Sequence, residues 1–163
     1  ACTQTHTPYL RLDRPQWQMP ADTDVVFVPD AVEAARLVAR TSKSALLTIG
    51  RKELGAFSGL EKVKLVVRVI ERPKPEDRLV GAHYLVDRPP FSLAGEVAVL
   101  RQHQIDTVVT KASGGDATRA KLDAAAQVGA RLVVLRRPPP PDGERVANVE
   151  QALSWIEQHF SQT

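Results

Sequence analysis

Short apolar runs alternate along this chain with stretches in which apolar residues recur every three or four positions. The first pattern marks buried strands and the second amphipathic helices. Residues 9–13 read as a short strand running into Arg14-Pro15. Val25-Val26-Phe27-Val28 is a compact apolar run and predicts a buried strand. A helix over 31–40 follows, with Asp30 as N-cap and Val32, Ala35 and Val38 on one stripe. Residues 45–49 predict a strand closed by Gly50, and 51–57 a short helical segment. The β-branched run over 63–70 is the strongest strand. Pro73 and Pro75 make 71–75 a loop, because proline cannot donate to a ladder.

The alternation continues in the second half. Residues 79–86 predict a strand that Arg88-Pro89-Pro90-Phe91 breaks, and Leu93, Val97 and Leu100 then recur at helical spacing. Residues 105–110 form a strand that runs into Lys111-Ala112-Ser113-Gly114-Gly115. A helix from Asp116 places Ala117, Ala120, Ala124 and Val128 on one face and stops at Gly129. Residues 131–136 are the last expected strand, and 138–141 a stiff polyproline stretch. The final helix starts at Asn148, which forms a capping box with Gln151. Val149, Ala152, Leu153, Ile156 and Phe160 make its expected buried stripe. Apolar strands alternating with amphipathic helices predict an α/β fold, a largely parallel sheet with helices on both faces. No internal repeat is found.

Composition narrows the class. A chain of 163 residues holds one ordinary domain, or one domain and part of another. Apolar content of 43% and charged content of 25% exclude disorder. No apolar run approaches the roughly 18 residues of a membrane span, and the N-terminus lacks a secretory layout. The formal charge of +3 allows an anionic ligand without demanding nucleic acid. Cys2, the sole cysteine, excludes an intrachain disulfide and a cysteine-based metal cluster. These features predict a cytoplasmic protein with neither a membrane nor a nucleic-acid partner.

Ligands of open α/β sheets gather at the C-terminal ends of the strands. Thr110-Lys111-Ala112-Ser113-Gly114-Gly115 lies between a strand and a helix start. Its glycines let a ligand approach the backbone, Ser113 and Thr118 offer hydroxyls, and Lys111 offers a charge. The set suits a phosphate or pyrophosphate, and it equally describes a tight turn with Lys111 in solvent. The orders GxxxxGK[ST] and GxGxxG are both absent. Thr48-Ile49-Gly50-Arg51 repeats the layout of strand, glycine, cation and short helix, or is an ordinary strand terminator. His6, His83, His103 and His159 show no ligand spacing, so no metal site is expected. His83 reads as a satisfied sheet residue and the other three as exposed. Ser113 lacks a GxSxG elbow and an evident His partner. Trp17 and Trp155 are too few and too separated for a base-stacking platform. Arg136 and Arg137 are either carboxylate ligands or exposed strand-end charges.

The order of motifs resembles a known family. Leu10-Arg11-Leu12-Asp13-Arg14-Pro15-Gln16-Trp17 comes first, then Thr48-Ile49-Gly50-Arg51-Lys52-Glu53-Leu54, then Arg88-Pro89-Pro90-Phe91. Ile105-Asp106-Thr107-Val108-Val109-Thr110-Lys111-Ala112-Ser113-Gly114-Gly115 follows, with Thr118, Lys121 and Leu122, and Val134-Leu135-Arg136-Arg137-Pro138-Pro139 completes the series. In order and spacing, across nearly the whole chain, these resemble the precorrin-6A reductases. Thr-Lys-x-Ser-Gly-Gly is the most specific element. The resemblance makes the expected α/β fold Rossmann-like. The family's N-terminal half opens with a glycine-rich strand-turn-helix that has no counterpart here. Residues 1–23 are therefore expected to end an N-terminal Rossmann-like domain and link it onward. Residues 24–163 are the expected C-terminal α/β domain, its last helix placed to pack back across that boundary. The missing N-terminal half would be a partner.

The resemblance implies NADPH-dependent reduction of one double bond in precorrin-6A, giving precorrin-6B, on the way to cobalamin. Such a cofactor carries the redox chemistry, and the protein positions it. The implied cofactor residues are Thr48, Gly50, Arg51, Thr110, Lys111, Ser113, Gly114, Gly115 and Thr118. The tetrapyrrole substrate carries acetate and propionate arms on an apolar ring, which suits Arg88, Arg136 and Arg137, with Phe91 as a packing surface. Lys52 is a further cation near the site. No catalytic residue is identified. Two other classes use similar loops: a non-catalytic anion- or nucleotide-binding domain, and another tetrapyrrole enzyme such as an S-adenosylmethionine-dependent methyltransferase.

Overall fold

The computed structural model describes residues 4–5, 7–13, 15–140 and 142–160. Cys2, His6, Arg14 and Pro141 lie outside the described residues. In chain order the strands are β1 (Leu10–Leu12), β2 (Val25–Val28), β3 (Ser44–Leu47), β4 (Lys64–Val69), β5 (His83–Val86), β6 (Thr107–Lys111), β7 (Arg131–Leu135) and β8 (Glu144–Val146). The helices are α1 (Ala31–Thr41), α2 (Arg51–Leu54), α3 (Leu93–Gln102), α4 (Ala120–Val128) and α5 (Val149–Phe160). They belong to two compact units, one of Ala1–Gln16 with Pro138–Thr163 and one of Trp17–Arg137. These lines differ from the expected 1–23 and 24–163.

The unit Trp17–Arg137 holds a six-stranded sheet in the order β2-β7-β6-β3-β4-β5, with every pair parallel. Successive residues of each strand point to opposite faces. Leu47, Val67, Val109 and Val133 meet α1, α2 and the 3₁₀ turn Gly55–Phe57 on one face, through Ala34, Ala35, Val38, Leu54 and Phe57. Leu46, Val66, Val108 and Leu132 meet α3 and α4 on the other, through Leu100, Leu122, Ala124 and Ala125. Both faces are covered, which is why the strands read as unbroken apolar runs. The chain progresses β3-β4-β5 one way, then returns to lay β6 and β7 on the other side of β3. Loops after β3 and β6 diverge at that switch.

Local signals set the helix ends. Asp30 accepts from the Val32 and Glu33 amides at 2.9 Å each. Gly129 adopts φ 72° and closes α4, with the Ala130 amide donating to Ala125 O at 2.9 Å. The Gln151 amide donates to Asn148 Oδ1 at 2.9 Å.

Several expectations are corrected. Phe27 is 43% exposed because β2 is an edge strand. Val32 is 50% exposed, and Ala31 and Ala34 take its place on the buried stripe of α1. Only His83–Val86 of the expected strand 79–86 pairs, after a turn at Gly81 with φ 74°. A 3₁₀ turn, Asp116–Thr118, precedes α4. His103 is buried and His83 exposed, the reverse of the expected order, with their rings 5.0 Å apart. Burial holds the His103 imidazole below its usual pKa, and the His83 and Lys64 charges add to this.

The other unit pairs β1 with β8 in parallel, from Leu10 opposite Glu144 to Leu12 opposite Val146. The apolar stripe of α5 is not buried in it: Val149, Leu153, Ile156 and Phe160 are all exposed. No helix among the described residues is long and apolar enough to cross a membrane.

Candidate functional site

Three strand-end segments build a cleft in the unit Trp17–Arg137. The first follows β3. The Thr48 amide and hydroxyl both donate to Val109 O, at 2.9 and 3.0 Å, tying this turn to β6. Gly50 then leads into α2. A Cβ there would stand 2.7 Å from Glu53 Oε2, the movable end of its side chain, and 3.8 Å from Lys111 Nζ, so Gly50 lies directly against that ion pair. Lys111 Nζ lies 2.6 Å from Glu53 Oε1, and this hydrogen bond holds the Glu53 carboxyl below its usual pKa against the opposing effect of burial.

The second segment follows β5. Asp87 Oδ1 accepts from the Arg88 amide at 2.9 Å, and Arg88 reaches Glu71 Oε1 at 3.4 Å. The peptide Pro89-Pro90 is cis, and the Phe91 amide donates to Ala117 O at 3.3 Å. That bond joins this loop to the third segment, the turn Asp116–Thr118 and the start of α4.

The cleft between them has a volume of about 570 Å³. Thr48, Gly50, Arg51, Phe91 and Thr118 line it, with Ile49 and Val69 as apolar wall. Its inner surface carries charge. Arg68, on β4, pairs with Glu96, on α3, through Nη1 and Oε1 at 2.5 Å. Both side chains are almost wholly buried, and Arg68 Nε and Glu96 Oε2 have no hydrogen-bond partner among the described residues. The guanidinium lies 4.4 Å from the Phe91 ring centroid. Lys121, on α4, lines the same cleft while only 6% exposed. Its Nζ lies 5.2 Å from the Trp17 ring centroid, and the indole donates to Gly115 O at 2.8 Å. Burial pushes the Lys121 amine down to about 8, Glu96 opposes the shift and Arg68 adds to it.

The residues singled out in the sequence fall into two groups. Thr48, Gly50, Arg51, Phe91 and Thr118 meet at the cleft. Arg88 is exposed beside it, held to Glu71, which lines it. The remainder serve the 110–115 loop. Thr110 is fully buried, the Ser113 amide donates to Lys111 O at 2.8 Å, and Gly114 and Gly115 turn at φ 73° and 91°. Arg137 donates to the Ala112 and Ser113 carbonyls, while Arg136 is exposed. Arg68, Glu96 and Lys121 were missed as site residues, although each places a charge where the apolar pattern requires core. Among the described residues no group of three or more His, Cys, Asp or Glu side chains could hold a metal.

A doubly covered parallel sheet with a cationic cleft at its strand ends defines an α/β ligand-binding domain of the Rossmann-like kind. The chain belongs to the precorrin-6x reductase CbiJ/CobK family, whose model matches residues 1–157. It is 38% identical over 152 residues to the precorrin-6A reductase of Rhodococcus erythropolis, covering 91% of this chain and 60% of that protein. It is 40% identical over 158 residues to the precorrin-6A reductase of Mycobacterium tuberculosis H37Rv, covering 95% and 63%. The cobalt-precorrin-6A reductase of Synechocystis is 30% identical over 165 residues, covering 94% and 62%. The solved structure of a CobK precorrin-6A reductase superposes with a TM-score of 0.87 at 28% identity, over 98% of this chain and 63% of that one. The chain thus spans about three fifths of the length of these relatives.

Proposed function

We propose that this chain serves an NADPH-dependent reductase that converts precorrin-6A to precorrin-6B in cobalamin biosynthesis. The observation that carries the reading is its similarity, over 91–98% of its length, to precorrin-6A reductases of several organisms. In this reading the unit 17–137 is the core of the C-terminal domain, and the N-terminal portion of the enzyme is a partner. The tetrapyrrole is the substrate.

The residues of the cleft fit a reduced dinucleotide. Arg51 is an exposed cation, Thr48 and Thr118 offer hydroxyl oxygens, and Gly50 leaves the backbone open. Thr48, Gly50, Arg51 and Thr118 would hold the cofactor, with Gly114 and Gly115 available through their backbone. Lys111 joins them by exchanging Glu53 for a phosphate, whereas Thr110 and Ser113 shape the loop. Phe91 and Arg88 would meet the macrocycle and its carboxylate arms, as would Arg136 where it is exposed. When bound, NADPH supplies a hydride.

Calorimetric titration tests the cofactor assignment. The chain should bind NADPH saturably and in preference to NADH. Arg51→Ala should weaken binding about tenfold, the size of one lost charge-assisted hydrogen bond. The full-length protein should oxidise NADPH when precorrin-6A is added. Binding without oxidation would favour a non-catalytic nucleotide domain, and saturable S-adenosylmethionine binding in place of NADPH would favour a methyltransferase.

A further inference from the structure

The cleft contains one nearly buried proton carrier, Lys121, which shares its counter-ion with a second cation. Lys121 is 6% exposed, lines the cleft, and holds its Nζ over the Trp17 ring, 5.2 Å from the centroid. The neighbouring carboxylate is shared: Glu96 Oε1 binds Arg68, and Oε2 has no hydrogen-bond partner among the described residues. Two cations, Lys121 and Arg68, therefore share a single anion, Glu96, on the side of the cleft away from solvent. A buried excess cation is stable only where a ligand compensates it or where it can release its proton.

The other groups lining the cleft do not fit the role of an acid. Arg68 is a guanidinium and holds its protons. Asp87 and Glu71 are exposed at the rim, and both are occupied by Arg88. Arg51 is exposed and reaches the Glu71 carbonyl at 3.5 Å. No histidine lines the cleft. Peripheral carboxylate arms of a macrocycle would meet the exposed arginines, whereas the conjugated ring, entering between Phe91 and Ile49, would meet the amine.

We propose that Lys121 is the general acid of the reduction, delivering from Nζ the proton that accompanies the hydride. This rests on the reading of the chain as a precorrin reductase. The hydride adds to one atom of the substrate double bond and leaves NADP⁺. An N–H bond of the ammonium breaks, its electrons stay on nitrogen, and the proton forms the new bond at the second atom. The neutral amine regains a proton from water at the mouth of the cleft. An amine held near 8 still carries its proton at neutral pH and gives it up more readily than an ordinary lysine. The charges facing it are Glu96 from α3 and Arg68 from β4, with the Trp17 ring between the amine and the 113–115 loop.

The test measures kcat and KM of the full-length enzyme against pH, with precorrin-6A and NADPH. In the wild type kcat should fall as pH rises past about 8, where the acid loses its proton. Lys121→Met and Lys121→Arg should both lower kcat about 100-fold or more, the usual worth of a positioned acid. Lys121→Arg, which keeps the charge in the cleft, should change calorimetric NADPH affinity far less than it changes kcat. The arginine variant keeps its charge beside Glu96, so it decides the matter even where the methionine variant fails to fold. Near wild-type kcat in Lys121→Arg would overturn the proposal and make the lysine an anchor for a substrate carboxylate. A wild-type profile flat through pH 8 would overturn it with no variant needed. A wild-type enzyme that oxidises no NADPH with precorrin-6A would instead remove the reductase reading, and the acid with it.

Discussion

Arg68 and Glu96 show how unforgiving a buried charge is at the scale of one residue. The pair is stable only as a pair, because each side chain has left water almost completely and each still has an atom with no partner among the described residues. Removing Glu96 leaves two cations, Arg68 and Lys121, without a carboxylate. Glu96→Ala should therefore cost about 3–5 kcal/mol in urea denaturation, while the double change Arg68→Met with Glu96→Leu should recover most of that loss. A single variant within 1 kcal/mol of wild type would mean that water reaches the pair. Both charges stand out in the sequence as breaks in apolar patterns. Arg68 interrupts Lys64–Val69, and Glu96 lies one turn from Leu93 and Leu100, on the face that packs. Their convergence is not legible there, since elements well separated along the chain bring them together.

At the scale of elements, the legible features were those with a local cause. Asp30, Gly129 and the Asn148–Gln151 pair each satisfy orphan backbone groups within a few residues of themselves. Gly129 gives the cleanest test. At φ 72°, with open space where a Cβ would stand, alanine meets no clash and only the left-handed backbone penalty. Gly129→Ala should cost about 1 kcal/mol, and Gly129→Asn less, in thermal or urea unfolding. A larger loss would mean a contact beyond the backbone. Features without a local cause were not legible. β8 is three residues long and two of them, Glu144 and Arg145, are charged, so nothing but its pairing with β1 marks it as a strand. The stripe on α5 has the right periodicity, but periodicity reports that a helix has an apolar face, not that anything covers it.

At the scale of the whole molecule, alternation of strand and helix announced a parallel sheet but left the strand order open. That order decides which strand-end loops meet. Thr48, Phe91 and Thr118 converge because β3, β4 and β5 are neighbours and the turn before α4 bonds to Phe91. Arg137 follows β7, on the far side of β6 from β3, and is used to hold the Ala112 and Ser113 carbonyls. Both apolar clusters and all six strands of this sheet lie within Trp17–Arg137. A chain cut to 17–137 should then fold by itself, since its sheet has both faces covered by its own helices. Trp17 is the only tryptophan that such a fragment retains, and it is 8% exposed, so its fluorescence reports on the packing around α4 alone. Urea unfolding followed by this fluorescence and by far-ultraviolet circular dichroism should give coincident transitions. Separated transitions, or an indole emitting as if in water before any urea is added, would show that the sheet depends on residues beyond 17–137.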